Sequence, residues 1–225
     1  PQAFEQSDEP SVGIQGWIPK GWGAGNLLKS VDLVGGGTPK TKVEEYWSGD
    51  IPWFSVVDAP NDSDIFVIDT DKKVTQLGVD NSSTKILRKG TTIISARGTV
   101  GKCALVGVPM AMNQSCYGVQ GLKGFTDEYV YYLVRFRVSD LQQRGHGSVF
   151  NTITKDTFES ITSAIPAESV MASFSKILKP SFDKVLKNIE QSKELESLRD
   201  TLLSKLISGE LRIPDAEQAT EALAK

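Results

Sequence analysis

The amino-acid sequence predicts an α+β protein: a β-rich globular part over residues 14–166, then a long helix that forms an antiparallel coiled coil with a partner helix. Three observations predict it. Short apolar runs rich in Val, Ile, Thr and aromatic residues recur between clusters of Gly, Pro, Asn and Asp, the signature of strands joined by turns. The pattern changes at Ile165-Pro166. Beyond that point apolar residues recur at steps of three and four, the period of a helix with a buried face.

The elements follow in order. Residues 1–13 are polar, with Asp8-Glu9-Pro10, and are predicted as a flexible lead-in. Trp17-Ile18-Pro19-Lys20-Gly21-Trp22 is an aromatic entry expected to pack both tryptophans onto the core. Residues 26–33 suit a short helix or a strand. Val34-Gly35-Gly36-Gly37-Thr38-Pro39 is a turn whose glycines permit backbone conformations that other residues resist. Strands are predicted at 51–57, 65–68, 91–96, 102–106 and 116–121, with Lys89-Gly90 as a turn before the third. Residues 127–136 have helical periodicity behind a Thr126 N-cap; residues 140–147 break it, and 154–160 begin another short helix.

The long helix is carried by Phe174, Leu178, Phe182, Val185, Ile189, Leu195, Leu198, Leu202 and Leu206. Ser192 takes one seam position and the interval drifts near 192–195, so the heptad is imperfect. Pro180 lacks an amide donor and must kink the helix or begin a new one. Residues 181–207 span about 40 Å at about 1.5 Å per residue, and Ser208-Gly209 closes the helix. One reading packs this helix back onto its own globular part. Its length and two-sided seam favour pairing with another chain or another repeat through Phe182, Val185, Ile189, Leu195, Leu198, Leu202 and Leu206. The helical region is taken as 167–211, and the Ala/Glu-rich residues 212–225 are expected to fray.

Composition narrows the function. Hydrophobic residues at 39% and charged residues at 24% are ordinary for a soluble globular protein. No apolar run approaches the roughly 18 residues that span a bilayer. The beginning has no Met, no basic segment and no apolar segment, and reads as an internal cut of a longer protein or a processed form. Cys103 and Cys116 lie in apolar strand-like contexts and are read as buried free thiols of a cytosolic protein; with one histidine, His146, a zinc site lacks ligands. The net charge of −3 argues against a simple nucleic-acid binder, but it is unevenly placed. Residues 14–166 hold 16 Lys and Arg against 15 Asp and Glu, and the remainder 9 against 13. Bases gather at Lys85, Arg88, Lys89, Arg97 and Lys102, and again at Arg135, Arg137 and Arg144 with His146 and then Lys155.

Catalytic motifs fail one by one. Gly35-Gly36-Gly37-Thr38-Pro39-Lys40 lacks the Gly-Lys-Ser/Thr that opens a helix in a phosphate loop, and Gly21-Trp22-Gly23-Ala24-Gly25 lacks dinucleotide-binding spacing. Asp71-Lys72-Lys73 has no acidic partner upstream for a nuclease. A methyltransferase would need a cofactor-binding glycine motif and an Asn/Asp-Pro-Pro-aromatic loop, and a hydrolase triad has little to be built from. Binding chemistry remains. Arg97 sits in a Gly-flanked hairpin turn, Ser95-Ala96-Arg97-Gly98-Thr99-Val100-Gly101-Lys102, where it can grip guanine or phosphate, or pair with the acidic residues of 44–80. Asn113 and Gln114 either read adenine or satisfy a turn. Arg144-Gly145-His146-Gly147-Ser148 with Asn151-Thr152 is a donor-rich loop that enters a groove, clamps phosphates, or is simply a surface loop.

These residues resemble one repeat of the specificity subunit of type I restriction–modification systems: a target recognition domain followed by its spacer helix. The likeness rests on Trp17-Ile18-Pro19-Lys20-Gly21-Trp22, on Gly36-Gly37-Thr38-Pro39 with Gly49-Asp50-Ile51-Pro52-Trp53, and on Ile94-Ser95-Ala96-Arg97-Gly98-Thr99-Val100-Gly101. It continues through Met112-Asn113-Gln114-Ser115, Gly145-His146-Gly147-Ser148, Ile161-Thr162-Ser163-Ala164-Ile165-Pro166 and Leu198-Arg199-Asp200-Thr201-Leu202-Leu203-Ser204-Lys205-Leu206-Ile207-Ser208-Gly209-Glu210-Leu211. Their order and spacing cover nearly the whole chain. The resemblance implies a non-catalytic cytoplasmic subunit that reads half of a bipartite, gapped DNA target. Its helix would set the gap and dock modification subunits carrying S-adenosylmethionine, with the nuclease on a separate restriction subunit. It implies no cofactor in this chain, and either the second half of a longer subunit or a half-subunit that pairs with itself. The DNA contacts would be Thr38, Lys40, Ser95, Arg97, Thr99, Lys102, Asn113, Gln114, Arg144, His146, Ser148, Asn151 and Thr152. The rival expectation is a protein-binding assembly module that dimerises through its long helix; a third is the recognition part of a fused restriction–methylation enzyme.

Overall fold

The computed structural model describes residues 3–9, 12–61, 64–122, 124–145 and 152–212. The chain divides into two compact units, Pro1–Lys179 and Pro180–Lys225.

The first unit opens with a hairpin in which β1 (Phe4–Gln6) pairs antiparallel with β2 (Trp17–Pro19). Part of the predicted lead-in is therefore tied into a ladder through backbone hydrogen bonds that its polar side chains do not advertise. Trp17 remains 45% exposed and Trp22 is half-buried, so the two tryptophans do not both enter the core. The strand β3 (Gly23–Asn26) leads into a 3-10 turn at Leu27–Lys29, whose Lys29 amide donates to the Asn26 side chain, and then β4 (Val31–Gly35). The middle of the chain supplies β5 (Trp47–Phe54), β6 (Phe66–Val67), β7 (Lys73–Val74) and the short helix α1 (Gln76–Asp80). It continues with β8 (Thr92–Ser95), β9 (Cys103–Val106), β10 (Ala111–Met112) and β11 (Cys116–Gly121). Last come α2 (Asp127–Gly145), α3 (Lys155–Glu159), β12 (Thr162–Ile165) and α4 (Glu168–Ile207).

The main sheet has five strands in the order β4–β11–β8–β9–β6, antiparallel except for the β6–β9 pair. Side chains alternate across a strand, and β8 shows the consequence. Ile94 joins Leu27, Val31, Val119, Val130, Val134, Leu141 and Phe158 on the face covered by α2 and α3, while Ile93 joins Phe54, Val67, Leu87, Val106, Met110 and Met112 on the other. A smaller sheet, β10–β5–β7, is filled by Trp53, Val74 and Ala111.

Among the boundaries that differ from the sequence-based expectation, three have a clear physical cause. β5 ends at Phe54, because Ser55 and Asp58 form a capping box that turns residues Val56–Asp58 into a 3-10 helix. α2 runs on to Gly145 through the predicted break: Leu141 is fully buried and the Gln142 side chain donates to the Val100 carbonyl at 2.8 Å. Tertiary contacts outweigh the polar local sequence there. α4 extends over 40 residues with Pro180 inside it, so Pro180 does not begin the helix, and the boundary of the two compact units falls at that proline.

Candidate nucleic-acid interface

The topology decides which loops share an end of the main sheet. β4 and β8 both run antiparallel to β11, with Gly35 opposite Tyr117 and Ser95 opposite Cys116. The chain leaving β4, the chain entering β11 and the turn from β8 to β9 therefore emerge together. Three backbone bonds bind these segments: the Gly36 amide donates to the Cys116 carbonyl, the Gly37 amide to the Met112 carbonyl, and the Ala96 amide to the Ser115 carbonyl. The Ile153 amide donates to the Ala96 carbonyl at 2.9 Å, and Gly145 packs against the carbonyl of Thr152, which brings in the C-terminal end of α2.

This end carries Thr38, Arg97, Thr99, Lys102, Asn113, Gln114 and Thr152, with Arg144 beside Gly145; Lys40 follows Thr38 by two residues, and its carbonyl accepts the Trp47 indole N–H at 3.3 Å. Positions that lie apart in sequence are neighbours here. The Thr38 hydroxyl donates to the Gln114 Oε1, so the two polar loops are joined side chain to side chain. Asn113 accepts the Ser115 amide on its Oδ1 at 3.0 Å, and that bond leaves its Nδ2 group as the donor available for a base edge. The guanidinium of Arg97 is exposed, and no ion pair with the acids of 44–80 engages it among the described residues. Ser95 is 1% exposed: its hydroxyl donates to the Thr99 carbonyl at 2.5 Å and accepts the Lys102 amide at 2.9 Å. Ser95 thus shapes the turn that presents Arg97 and Thr99. His146, Ser148 and Asn151 lie outside the described residues.

Gly36 and Gly37 make the convergence possible. A Cβ on Gly36 would fall on the Asn113 carbonyl oxygen, and one on Gly37 on the Thr84 amide and the Ser83 hydroxyl. Backbone-to-backbone packing of three segments is available only to glycine at these two positions. The same contact adds residues 83–85 to the interface, with Ser83 and Lys85 exposed and Thr84 donating to the Met112 carbonyl at 2.9 Å. The sequence marked only Lys85 of this loop, as part of a basic cluster, and carried no sign that Ser83 and Thr84 pack against Gly37. Several bases of the two clusters are committed elsewhere. Arg88 makes two bonds to the Asp127 carboxylate, at 2.7 and 2.8 Å, which hold its guanidinium still more firmly protonated. Arg137 bonds Asp140 and Ser163, and Arg135 bonds the Tyr131 hydroxyl.

A second surface is apolar. A groove of about 760 Å³ in the first unit is lined by Tyr129, Tyr132 and Phe136 of α2 and by Val170, Met171 and Phe174 of α4. Farther along α4, Phe182 is already buried, Val185, Ile189 and Leu202 are half-buried, and Leu195, Leu198 and Leu206 are exposed. The part of the predicted seam that stands open therefore lies toward the C-terminal end of the helix. Among the described residues no group of His, Cys, Asp or Glu is placed to hold a metal ion, and no helix is long and apolar enough to cross a membrane.

Residues 19–197 match the type I restriction modification DNA specificity domain. The chain is 29% identical over 182 residues to the type I restriction enzyme MjaIX specificity subunit of Methanocaldococcus jannaschii, covering 80% of this chain and 42% of that subunit. It is 24% identical over 199 residues to the HindI specificity subunit of Haemophilus influenzae, covering 86% and 42%. Among solved structures, the HsdS subunit from Thermoanaerobacter tengcongensis superposes with a TM-score of 0.55 at 18% identity, over 93% of this chain and 49% of that one. The S subunit from M. genitalium gives 0.56 at 17%, over 82% and 45%. These structural likenesses show a shared fold, and the chain spans less than half the length of the curated relatives it matches.

Proposed function

Since the chain belongs to the type I restriction modification DNA specificity family, we propose that it reads one half of a bipartite DNA target, as the non-catalytic specificity part of a restriction–modification complex. The observation that carries this reading is the convergence of three separate loops, one bearing Thr38, one Arg97 and one Asn113 with Gln114, on one end of the main sheet. Side chains with donors and acceptors on a fixed platform are what base-edge recognition in a major groove requires. Lys40 and Arg144 flank them as phosphate contacts, which set register without reading sequence.

The helix is assigned the role of spacer. An antiparallel pair formed with a second copy or a second repeat would hold two reading ends a fixed distance apart, and each base pair adds ~3.4 Å along a strand. The open leucines of α4 and the aromatic groove support docking of modification subunits. Those subunits would supply S-adenosylmethionine and the methyl transfer, and a restriction subunit the cleavage. Such a reader works in the cytoplasm. The test is selection from a pool of random-sequence duplexes. Enrichment of one short, contiguous half-site is the expected outcome, and recovery of unenriched sequence would leave the assembly-module reading in its place.

A further inference from the structure

We infer that Val57 is a specificity-determining residue that reads the 5-methyl group of a thymine; this rests on the DNA-reading role proposed above. The residues assigned to the reading end so far are polar or charged. Base edges in the major groove also carry one apolar feature, the thymine methyl, which apolar side chains recognise. The loop after β5 brings such a side chain to the same end. The Phe54 carbonyl accepts the Asn113 amide at 2.9 Å, which fixes the start of the loop beside the polar readers. Pro60 and Asn61 line a cavity of about 400 Å³ with Gly101 and Lys102, which fixes its far side beside the β8–β9 turn. Between these anchors, Val57 is 78% exposed.

An exposed valine is commonplace on a protein surface. This one sits on a turn held more firmly than a surface loop requires. The Asp58 carboxylate accepts the Ser55 amide at 2.8 Å, the Ser55 hydroxyl at 2.9 Å and the Asp71 amide at 2.8 Å. Three donors fix the turn and occupy the carboxylate, so that a negative charge can stand near DNA with its lone pairs already committed. Rigidity is what lets one methyl–methyl contact count, because no ordering of the loop is required on binding.

The test compares wild-type protein with Val57→Ala and Val57→Thr in selection from random-sequence duplexes, then measures binding to the selected duplex with each thymine replaced in turn by deoxyuridine. The wild type is expected to lose roughly fourfold in affinity at one position, the effect of removing one buried methyl group from the contact. Val57→Ala is expected to be indifferent to uracil at that position and to lose its thymine preference there, with Val57→Thr between them. Melting temperatures serve as the folding control and should be unchanged at so exposed a site. An identical selected motif together with undiminished uracil sensitivity in Val57→Ala overturns the inference, as does a wild-type motif in which no thymine responds. Failure of the wild type to enrich any sequence overturns the DNA-reading role itself, and is distinguished because it appears before any variant is compared.

Discussion

Gly36 and Gly37 act through what they lack. The space a Cβ needs is filled by backbone of residues 113 and 84, which cannot swing aside as a side chain would. Gly36→Ala is expected to cost ~1–3 kcal/mol, the usual range for overpacking, read as a lower denaturant midpoint together with loss of DNA binding. Arg97 and Lys40 should separate reading from gripping. Arg97→Ala is expected to relax preference at one base pair by ~1–3 kcal/mol, while Lys40→Ala weakens all sequences alike and lowers the salt slope by about 1; binding to matched and mismatched duplexes at several salt concentrations tells them apart. Burial pushes the Cys103 and Cys116 thiols up from 9.0 to about 12. In the unfolded chain they ionise near pH 9 and in the folded chain near pH 12, so their contribution is complete below pH 9 and is lost as pH rises towards 12. Denaturant midpoints should therefore fall between pH 9 and 12, and a thiol reagent at pH 8 should leave the buried Cys116 unmodified until the protein unfolds, with the half-buried Cys103 reacting first. At this scale the sequence is informative where a residue's chemistry is local. Arg97 in its glycine-flanked turn is legible; the burial of Ser95 under that turn is not, because it depends on where residues 99 and 102 return.

At the scale of elements, the period-2 and period-3.6 patterns located what packing enforces. β11 occupies the predicted 116–121, and α3 starts behind Thr154 as its capping box requires. The errors fall where a distant partner decides. α2 outlasts its local signal because Leu141 and Gln142 find the core and Val100, and β1 exists because β2 pairs with it. α4 gives the opposite case, a pattern that outlasts its cover. Leu198 is 37% exposed and Leu206 36%, so Leu198→Asp with Leu206→Asp should cost only about 1 kcal/mol of folding stability, chiefly through helix propensity. The same pair should abolish self-association and capture of modification subunits if that stretch is the docking seam. Light scattering across a concentration series, beside thermal melts, separates the two effects.

On the scale of the whole molecule, the charge balance and the reading end set the character of binding. A chain of net charge −3 whose proposed phosphate contacts are Lys40 and Arg144 offers little electrostatic grip. The slope of log affinity against log salt should be about −2, from about 0.9 per phosphate neutralised. A much steeper slope would mean that another, more basic surface holds the DNA. None of this collective behaviour was visible in any single motif; it follows from strand order, which joins residues 38, 57, 97, 113 and 152 across the sequence. The same strand order has a consequence for how such a protein changes over time. The side chains proposed to read DNA sit on loops at one end of the sheet, while the two packed cores lie on its faces. Substitutions at positions 57 and 97 can therefore accumulate independently, and those at 38 and 114 as a hydrogen-bonded pair, with little penalty in stability, so that a lineage can drift from one recognised word to another while the architecture that utters it stays still.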